Sequence, residues 1–247
     1  MKTIKKIFVT FIGLIVFVVL GFVVWGSTPA RPMPEALDSL NSSESVTVQT
    51  GKWLVFTPAD NLPVKTGFIF YPGGRVDYRA YAPMASALAA NGYLVVIPRM
   101  PLNLAVFGID LASDVIAAHS EISSWTIGGH SLGGSMAASY VYEHPDQIDG
   151  LVLLASYPAE SNDLSGYAGS VLSISGELDG LATPEKIAQS VGLLPDNTQW
   201  VNIEGGNHAQ FGWYGDQKGD NLADISREEQ QLLVSQSILD YLTIINQ

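Results

Sequence analysis

The feature that most constrains the fold is an alternation of short apolar segments with helix-prone ones between residues 67 and 205. Each apolar segment is almost continuously hydrophobic, which is typical of strands in a sheet that is buried on both faces. The segments are GFIFY (67–71), YLVVIP (93–98), WTIGG (125–129), GLVLLAS (150–156), SVLSISG (170–176) and TQWVNIEG (198–205). The alternation predicts an α/β fold, with a mostly parallel central sheet and helices on both faces.

Segments at both ends of this region extend the same domain. SVTVQT and KWLVFTP, separated by Gly51, predict a hairpin at one edge of the sheet. At the other end, SREE at residues 226–229 has the form of a capping box and predicts a helix that runs to about Ile245. A chain of 247 residues can bury one large core, so we expect a single domain over residues 45–247.

Residues 1–25 differ from the rest of the chain. Lys2, Lys5 and Lys6 precede 19 uncharged residues, Ile7 to Trp25. As a helix this run would be about 28 Å long, close to the hydrocarbon thickness of a bilayer. It is longer than the apolar region of a secretory signal peptide, so we expect an uncleaved signal anchor, with a cleaved signal peptide and then a buried globular helix as the alternatives.

The charges beside this run predict an orientation. The three lysines would keep the amino terminus in the cytoplasm, so the domain would lie on the extracytoplasmic side of the cell membrane, held by a single-pass transmembrane helix. Residues 26–44 contain three prolines and many small polar residues, which predicts a linker with little structure of its own.

Charge and composition exclude several classes of function. The formal net charge is −12, and an acidic surface repels nucleic-acid phosphates, so no nucleic-acid partner is expected. The chain has no cysteine, which excludes disulfides, thiolate metal sites and a cysteine nucleophile. Asp216, Asp220 and Asp224 are spaced four apart but do not form an EF-hand loop, so we expect no metal and no cofactor.

The segment WTIGGHSLGGSMAAS, residues 125–139, joins a predicted strand to a predicted helix. Gly129, Ser131 and Gly133 have the spacing G-x-S-x-G of a nucleophile elbow, a sharp turn that exposes a serine between strand and helix. A tight turn whose serine merely caps the helix is the alternative. Because a strand precedes the motif and a helix follows it, we predict that Ser131 is a nucleophile.

A serine nucleophile needs a base that takes its proton. Of the four histidines, His208 lies in a glycine-rich loop just beyond the last predicted strand, where no capping role explains it. His119 and His144 end helices, where a cation suits the helix dipole, and His130 lies inside the elbow itself. The sequence therefore predicts His208 as the base.

The base in turn needs an acid that orients it, expected between serine and histidine in the chain. Glu177 and Asp179 both lie in the loop after the strand SVLSISG. Asp179 is preferred, because a carboxylate well past the strand end can turn toward the loop that carries His208. Glu177 is the alternative.

Acyl transfer also requires N–H donors directed at the developing oxyanion. The N–H of Leu132, which follows the serine, is one expected donor, and an N–H of Gly74 or Arg75 in the loop YPGGRVD is the other. We also predict that Arg75 binds substrate, together with Met100 in the apolar loop RMPLNLAVFG. For that loop, packing into the core is an equally supported interpretation.

On these residues the chain resembles the α/β-hydrolase family over about residues 45–247. The resemblance rests on YPGGRVD, GHSLGG, GELDGLATP and GGNHAQFG, which occur in the family's order. It implies a catalytic triad of Ser131, Asp179 and His208, with an oxyanion hole from Leu132 and the PGG loop.

Two details refine the resemblance. Where many relatives have His-Gly before the oxyanion donor, this chain has Pro-Gly at residues 72–73. Only about thirteen residues separate the predicted strands that end at 156 and begin at 170, too few for a lid domain. The chain is therefore similar to compact, lidless members such as dienelactone hydrolases and small carboxylesterases.

The function expected from these motifs is a membrane-anchored serine hydrolase that cleaves a carboxylic ester, or a related acyl bond, of a small molecule. Two alternatives stay open: a non-catalytic binding ectodomain of the same fold, and an acyltransferase that uses the same serine.

Overall fold

An eight-stranded sheet lies at the centre of the computed structural model, which describes residues 2–59 and 63–245, and the side chains of the first helix from residue 10 onward. The strands are β1 Val46–Thr50, β2 Trp53–Pro58, β3 Thr66–Tyr71, β4 Leu94–Pro98, β5 Ser124–His130, β6 Gly150–Leu154, β7 Ser170–Gly176 and β8 Gln199–Ile203. Their order is β1-β2-β4-β3-β5-β6-β7-β8. The β1–β2 and β2–β4 pairs are antiparallel, and the other pairs are parallel. The predicted fold class and the edge hairpin are confirmed.

Helices cover both faces of this sheet. The α-helices of the described residues are α1 Lys2–Gly26, α2 Pro34–Asp38, α3 Ala82–Ala89, α4 Leu111–Ala118, α5 Leu132–Glu143, α6 Pro184–Gln189 and α7 Arg227–Ile245. Along β3, Phe68 and Phe70 pack into one apolar core with α3 and α7, while Ile69 and Tyr71 pack into the other core with α4 and α5. Successive strand side chains point to opposite faces, and here both faces are buried, which explains why the strands are apolar without alternation.

Two local predictions hold in the structure. The Ser226 hydroxyl accepts a hydrogen bond from the N–H of Glu229 at 3.1 Å, which begins α7 as the capping box predicts. Residues 155–169, all of them described, connect β6 to β7 without a helix or a strand, so no lid domain is inserted there.

The prediction of a membrane anchor is corrected by the structure. Among the described residues, no helix has both the length and the apolar character required to cross a bilayer. This finding contradicts the transmembrane helix, the membrane partner and the cell-membrane location with an extracytoplasmic domain. The side chains of Lys2, Lys5 and Lys6, from which the orientation was predicted, lie outside the described residues.

The carboxyl end of α1 packs against the domain. The side chains of residues 10–25 are exposed, but the Phe22 and Phe107 rings are 6.2 Å apart, and the Asn103 amide donates to the Gly26 carbonyl at 2.9 Å. α1 therefore ends beside the loop that follows β4.

The segment predicted as a linker lies along the domain. Ala30 forms a bridge with Val76, in which the Ala30 N–H donates to the Arg75 carbonyl at 2.7 Å. Further along, the N–H of Met33 donates to the Trp213 carbonyl at 2.8 Å. These contacts place Ala30 beside the loop that follows β3 and Met33 beside the segment that follows β8.

Candidate active site

Ser131 occupies the turn between β5 and α5. Its φ of 53° and ψ of −123° lie in a region that residues with a Cβ rarely adopt, so the turn is strained. Hydrogen bonds hold it on both sides: the Ser131 N–H donates to the Leu154 carbonyl at 2.9 Å, and the Ser156 hydroxyl donates to the Ser131 carbonyl at 2.7 Å. The Ser131 residue stays partly exposed.

The two glycines of the elbow are required by close backbone contacts. A Cβ on Gly129 would lie 2.4 Å from the carbonyl carbon of Gly133, and a Cβ on Gly133 would lie 2.1 Å from the Tyr71 carbonyl oxygen. Real Cβ atoms essentially never come within 3.0 Å of such atoms. Glycine is therefore required at both positions because α5 lies so close to β5 and β3.

Asp179 and His208, from the loops after β7 and β8, form a buried pair. The His208 Nδ1 and the Asp179 Oδ2 are 2.8 Å apart, and the two residues are 1% and 2% exposed. The other carboxylate oxygen, Oδ1, accepts hydrogen bonds from the N–H groups of Leu181 and Ala182, both at 2.7 Å. With the carboxylate as acceptor, Nδ1 of His208 is the donor in this hydrogen bond, and Nε2 is then the nitrogen that a neutral imidazole leaves unprotonated.

Nε2 of His208 is buried and has no hydrogen-bond partner among the described residues, Ser131 included. Catalytic hydrogen bonds often tighten only when substrate is present, so a free Nε2 beside the elbow is compatible with a general base. The ring of His130, which precedes Ser131, lies 4.6 Å from the His208 ring and fixes it beside the elbow.

The alternative acid and two of the other histidines lie in different surroundings. Glu177 is exposed, and its carboxylate accepts a hydrogen bond from the Gly205 N–H at 2.9 Å rather than contacting His208. His119 pairs with Glu121, and His144 lies near Asp110. Of the candidates named from the sequence, the structure brings only Asp179 to the ring of His208.

Two residues that the sequence analysis did not single out for this role support the triad loops. Asp220 links them, because one carboxylate oxygen accepts from the Gly180 N–H at 3.0 Å and the other from the Ala209 N–H at 2.8 Å. Gln230 of α7 is fully buried; its amide accepts from the N–H of Asn207 at 3.0 Å and donates to the carbonyl of Asn207 at 2.8 Å. These bonds hold the residues on either side of His208.

The loop after β3 approaches the elbow at Gly74. A Cβ on Gly74 would lie 3.1 Å from the Leu132 side chain. The N–H of Arg75 donates to the Asn103 carbonyl at 2.7 Å, whereas the Gly74 N–H has no hydrogen-bond partner among the described residues. The Leu132 N–H begins α5 and therefore has no partner within the helix. Two free N–H groups thus lie on neighbouring loops at the elbow.

The predicted substrate-binding residues lie in different places. The Arg75 guanidinium donates to the carbonyls of Trp25 and Thr28, at 3.0 and 2.7 Å, and lies 4.4 Å from the Trp25 ring centroid. Arg75 and Gly74 also line a pocket of about 470 Å³, together with residues 28–30, 214 and 216–218. Met100 is buried in the core that contains Tyr71, and it lines a separate cavity of about 280 Å³.

Comparison with known proteins identifies the family. The sequence profile described as the alpha/beta hydrolase family matches residues 67–232, more than half of the chain. The chain belongs to the alpha/beta hydrolase family. Among curated proteins, none matches the sequence.

Several solved structures share the fold at low sequence identity. One described as a putative lipase from Acinetobacter baumannii AYE has a TM-score of 0.64 and 14% identity, over 86% of this chain and 94% of that one. Esterase 2 from Thermogutta terrifontis, phosphoramylated by tabun, has a TM-score of 0.60 and 13% identity, over 82% and 96%. Est1E from Butyrivibrio proteoclasticus has a TM-score of 0.59 and 13% identity, over 81% and 98%.

Proposed function

We propose that this alpha/beta hydrolase is a serine esterase that acts through an acyl-enzyme intermediate. Ser131 attacks the ester carbonyl, while His208 takes the serine proton at Nε2 and passes it to the leaving alcohol. Asp179 holds the imidazole and stabilises its protonated form. The N–H groups of Leu132 and Gly74 stabilise the oxyanion, and water then releases the acyl group.

The observation that carries this proposal is the buried pair of Asp179 and His208 beside the strained Ser131. Asp179 is satisfied by three hydrogen bonds, one of them with an imidazole whose other nitrogen has no partner among the described residues, and a buried titratable pair oriented in this way is typical of catalytic sites. A serine held at positive φ is likewise typical of a functional turn. The names of the solved relatives, among them two esterases, agree with ester hydrolysis.

For the substrate we propose a small ester with a short acyl group. The connection between β6 and β7 carries no inserted domain, which favours a compact, lidless enzyme similar to small carboxylesterases and dienelactone hydrolases.

The proposal is tested with a chain-length series of p-nitrophenyl esters on the full-length protein. The wild type should hydrolyse the acetate and butyrate better than the decanoate, and Ser131→Ala should lower kcat by about 10⁴-fold or more. Ser237→Ala, a serine of α7 away from the elbow, is the matched control and should keep full activity.

Covalent labelling gives a second measurement. A fluorophosphonate probe should label the wild type and Ser237→Ala but not Ser131→Ala. Folded wild-type protein that resists the probe would contradict an activated serine and favour a binding protein. If an added alcohol acceptor takes up most of the acyl group, the enzyme is an acyltransferase rather than a hydrolase.

A further inference from the structure

Tyr81 lies beneath the loop that carries Gly74. It is 1% exposed, and its hydroxyl accepts a hydrogen bond from the N–H of Gly73 at 3.0 Å. The same hydroxyl lies 2.9 Å from Nδ1 of His130. A Cβ on Gly73 would lie 2.8 Å from His130 Nδ1 and 2.9 Å from the Tyr81 hydroxyl. The main chain of Gly73 therefore packs directly against both side chains.

His130 is the residue immediately before Ser131, and it is buried at the end of β5. Burial, and then the charge that His208 can carry, lower the pKa of His130 well below its ordinary value, so its ring is neutral near pH 7. Its Nε2 has no hydrogen-bond partner of good geometry within the described part of the chain. The main chain of His208 raises the pKa of His130, but by less than burial lowers it.

The direction of these hydrogen bonds follows from counting protons. Tyr81 has one hydroxyl proton and already accepts from Gly73. If the hydroxyl donates to Nδ1, only the Nε2–H of His130 lacks a partner. If Nδ1–H donates instead, both the tyrosine proton and the Nε2 lone pair are left unpaired in the core, at a cost of about 1–3 kcal/mol each. The hydrogen bonds therefore run from the Gly73 N–H to Tyr81, and from the Tyr81 O–H to Nδ1 of His130.

We propose that Tyr81 and His130 are positioning residues that fix the oxyanion loop relative to the nucleophile. One end of this chain of hydrogen bonds is the residue before Gly74, and the other end is the residue before Ser131. The inference rests on the proposed function, because it assigns Gly74 and Ser131 to the oxyanion and the attack. Neither Tyr81 nor His130 contacts the reacting atoms. They act by holding the Gly74 N–H at the distance that the oxyanion requires, about 2.7–3.1 Å.

The kinetic test uses variants that remove single atoms of this chain. Tyr81→Phe keeps the ring and loses the hydroxyl, and we expect kcat on p-nitrophenyl acetate to fall about 10- to 100-fold with KM changed less than about threefold. His130→Leu should show the same loss, and the double variant should be no slower than either single variant. His130→Asn, whose Oδ1 can accept in place of Nδ1, should recover most of kcat.

The control is Tyr142→Phe, a half-exposed tyrosine on α5, which should keep wild-type kinetics. If Tyr81→Phe and His130→Leu keep kcat within about twofold while Ser131→Ala is inactive, the positioning role is wrong and the esterase proposal stands. An equal loss in His130→Asn and His130→Leu would also overturn it, because packing alone would then explain the effect.

A readout independent of activity separates the two proposals. Two-bond ¹H–¹⁵N spectra of protein with labelled histidine distinguish the two neutral tautomers. His130 should be protonated on Nε2 in the wild type, and this preference should be lost in Tyr81→Phe. A wild-type His130 protonated on Nδ1 would overturn the hydrogen-bond chain even if the esterase is active. If esterase activity is absent and the predicted tautomer is found, it is the proposed function that fails.

Discussion

The carboxylate of Asp179 and the imidazole of His208 are joined at 2.8 Å inside the protein, although 28 residues separate them in the sequence. Parallel strands β7 and β8 are neighbours, so the loops after them leave the same edge of the sheet side by side. The other oxygen of Asp179 accepts hydrogen bonds from the N–H groups of Leu181 and Ala182, and these bonds fix the orientation of the carboxylate toward the ring.

This geometry predicts that the neighbouring carboxylates of Asp179 and Glu177 affect kcat very differently. Asp179→Asn should lower kcat about 10³- to 10⁴-fold, because an amide at this position favours the wrong tautomer of His208. Glu177→Gln, in the same loop but exposed and bonded to Gly205, should change kcat less than about threefold. Steady-state hydrolysis of p-nitrophenyl acetate measures both. The reverse ranking would make Glu177 the orienting acid.

The elbow could be predicted from the sequence because its signal is local. Five consecutive residues carry the G-x-S-x-G spacing, and the strand before it and the helix after it are visible as a change in hydrophobic pattern. The preference for Asp179 over Glu177 also followed from local order along the loop. A functional turn formed by a few consecutive residues can therefore be predicted from those residues and their immediate neighbours.

The supporting contacts could not be predicted because their partners are distant in sequence. Gln230 contacts the main chain of Asn207 from α7, and its glutamine side chain resembles those of its exposed neighbours in the sequence. In the sequence, Asp220 is only one of three regularly spaced carboxylates, and its hydrogen bonds to Gly180 and Ala209 exist only once two loops have folded together. The contacts of residues 28–33 with the segments after β3 and β8 likewise depend on tertiary structure, which proline and serine content does not reveal.

The elbow glycines make a stability prediction. Gly133→Ala should lower the free energy of unfolding by about 3 kcal/mol or more, because the new Cβ would collide with main-chain oxygens of Tyr71 and Pro72 that cannot rotate away. Gly192→Ala is the matched control: nothing lies within 4 Å of its Cβ position, so a change within about 0.5 kcal/mol is expected. Urea unfolding followed by circular dichroism measures both. Equal midpoints for the two variants would show that α5 can move away from β3.

Arg75 makes a kinetic prediction, because its contacts join three segments. Its guanidinium bonds to the carbonyls of Trp25 and Thr28, and its N–H bonds to the Asn103 carbonyl. Arg75→Ala should lower kcat about 5- to 10-fold through the adjacent Gly74, with KM little changed. Arg99→Ala, an exposed arginine after β4, should have no effect. A rise in KM at constant kcat would instead support the sequence prediction that Arg75 binds substrate.

The buried His130 predicts a specific dependence of stability on pH. Its pKa in the folded protein lies well below the ordinary value, first because of burial and then because of the neighbouring His208, whereas in the unfolded chain the pKa returns to about 6.5. Below pH 6.5 the unfolded chain takes up a proton that the folded chain does not, so the free energy of unfolding falls as the pH falls. Between pH 6.5 and pH 5.5 this histidine alone should remove about 1 kcal/mol of stability. Urea unfolding of the wild type and His130→Asn at both pH values isolates that share, because titrating groups that do not contact His130 contribute equally to both proteins. The wild type should lose about 1 kcal/mol more than the variant, and equal losses would mean that His130 becomes charged without unfolding.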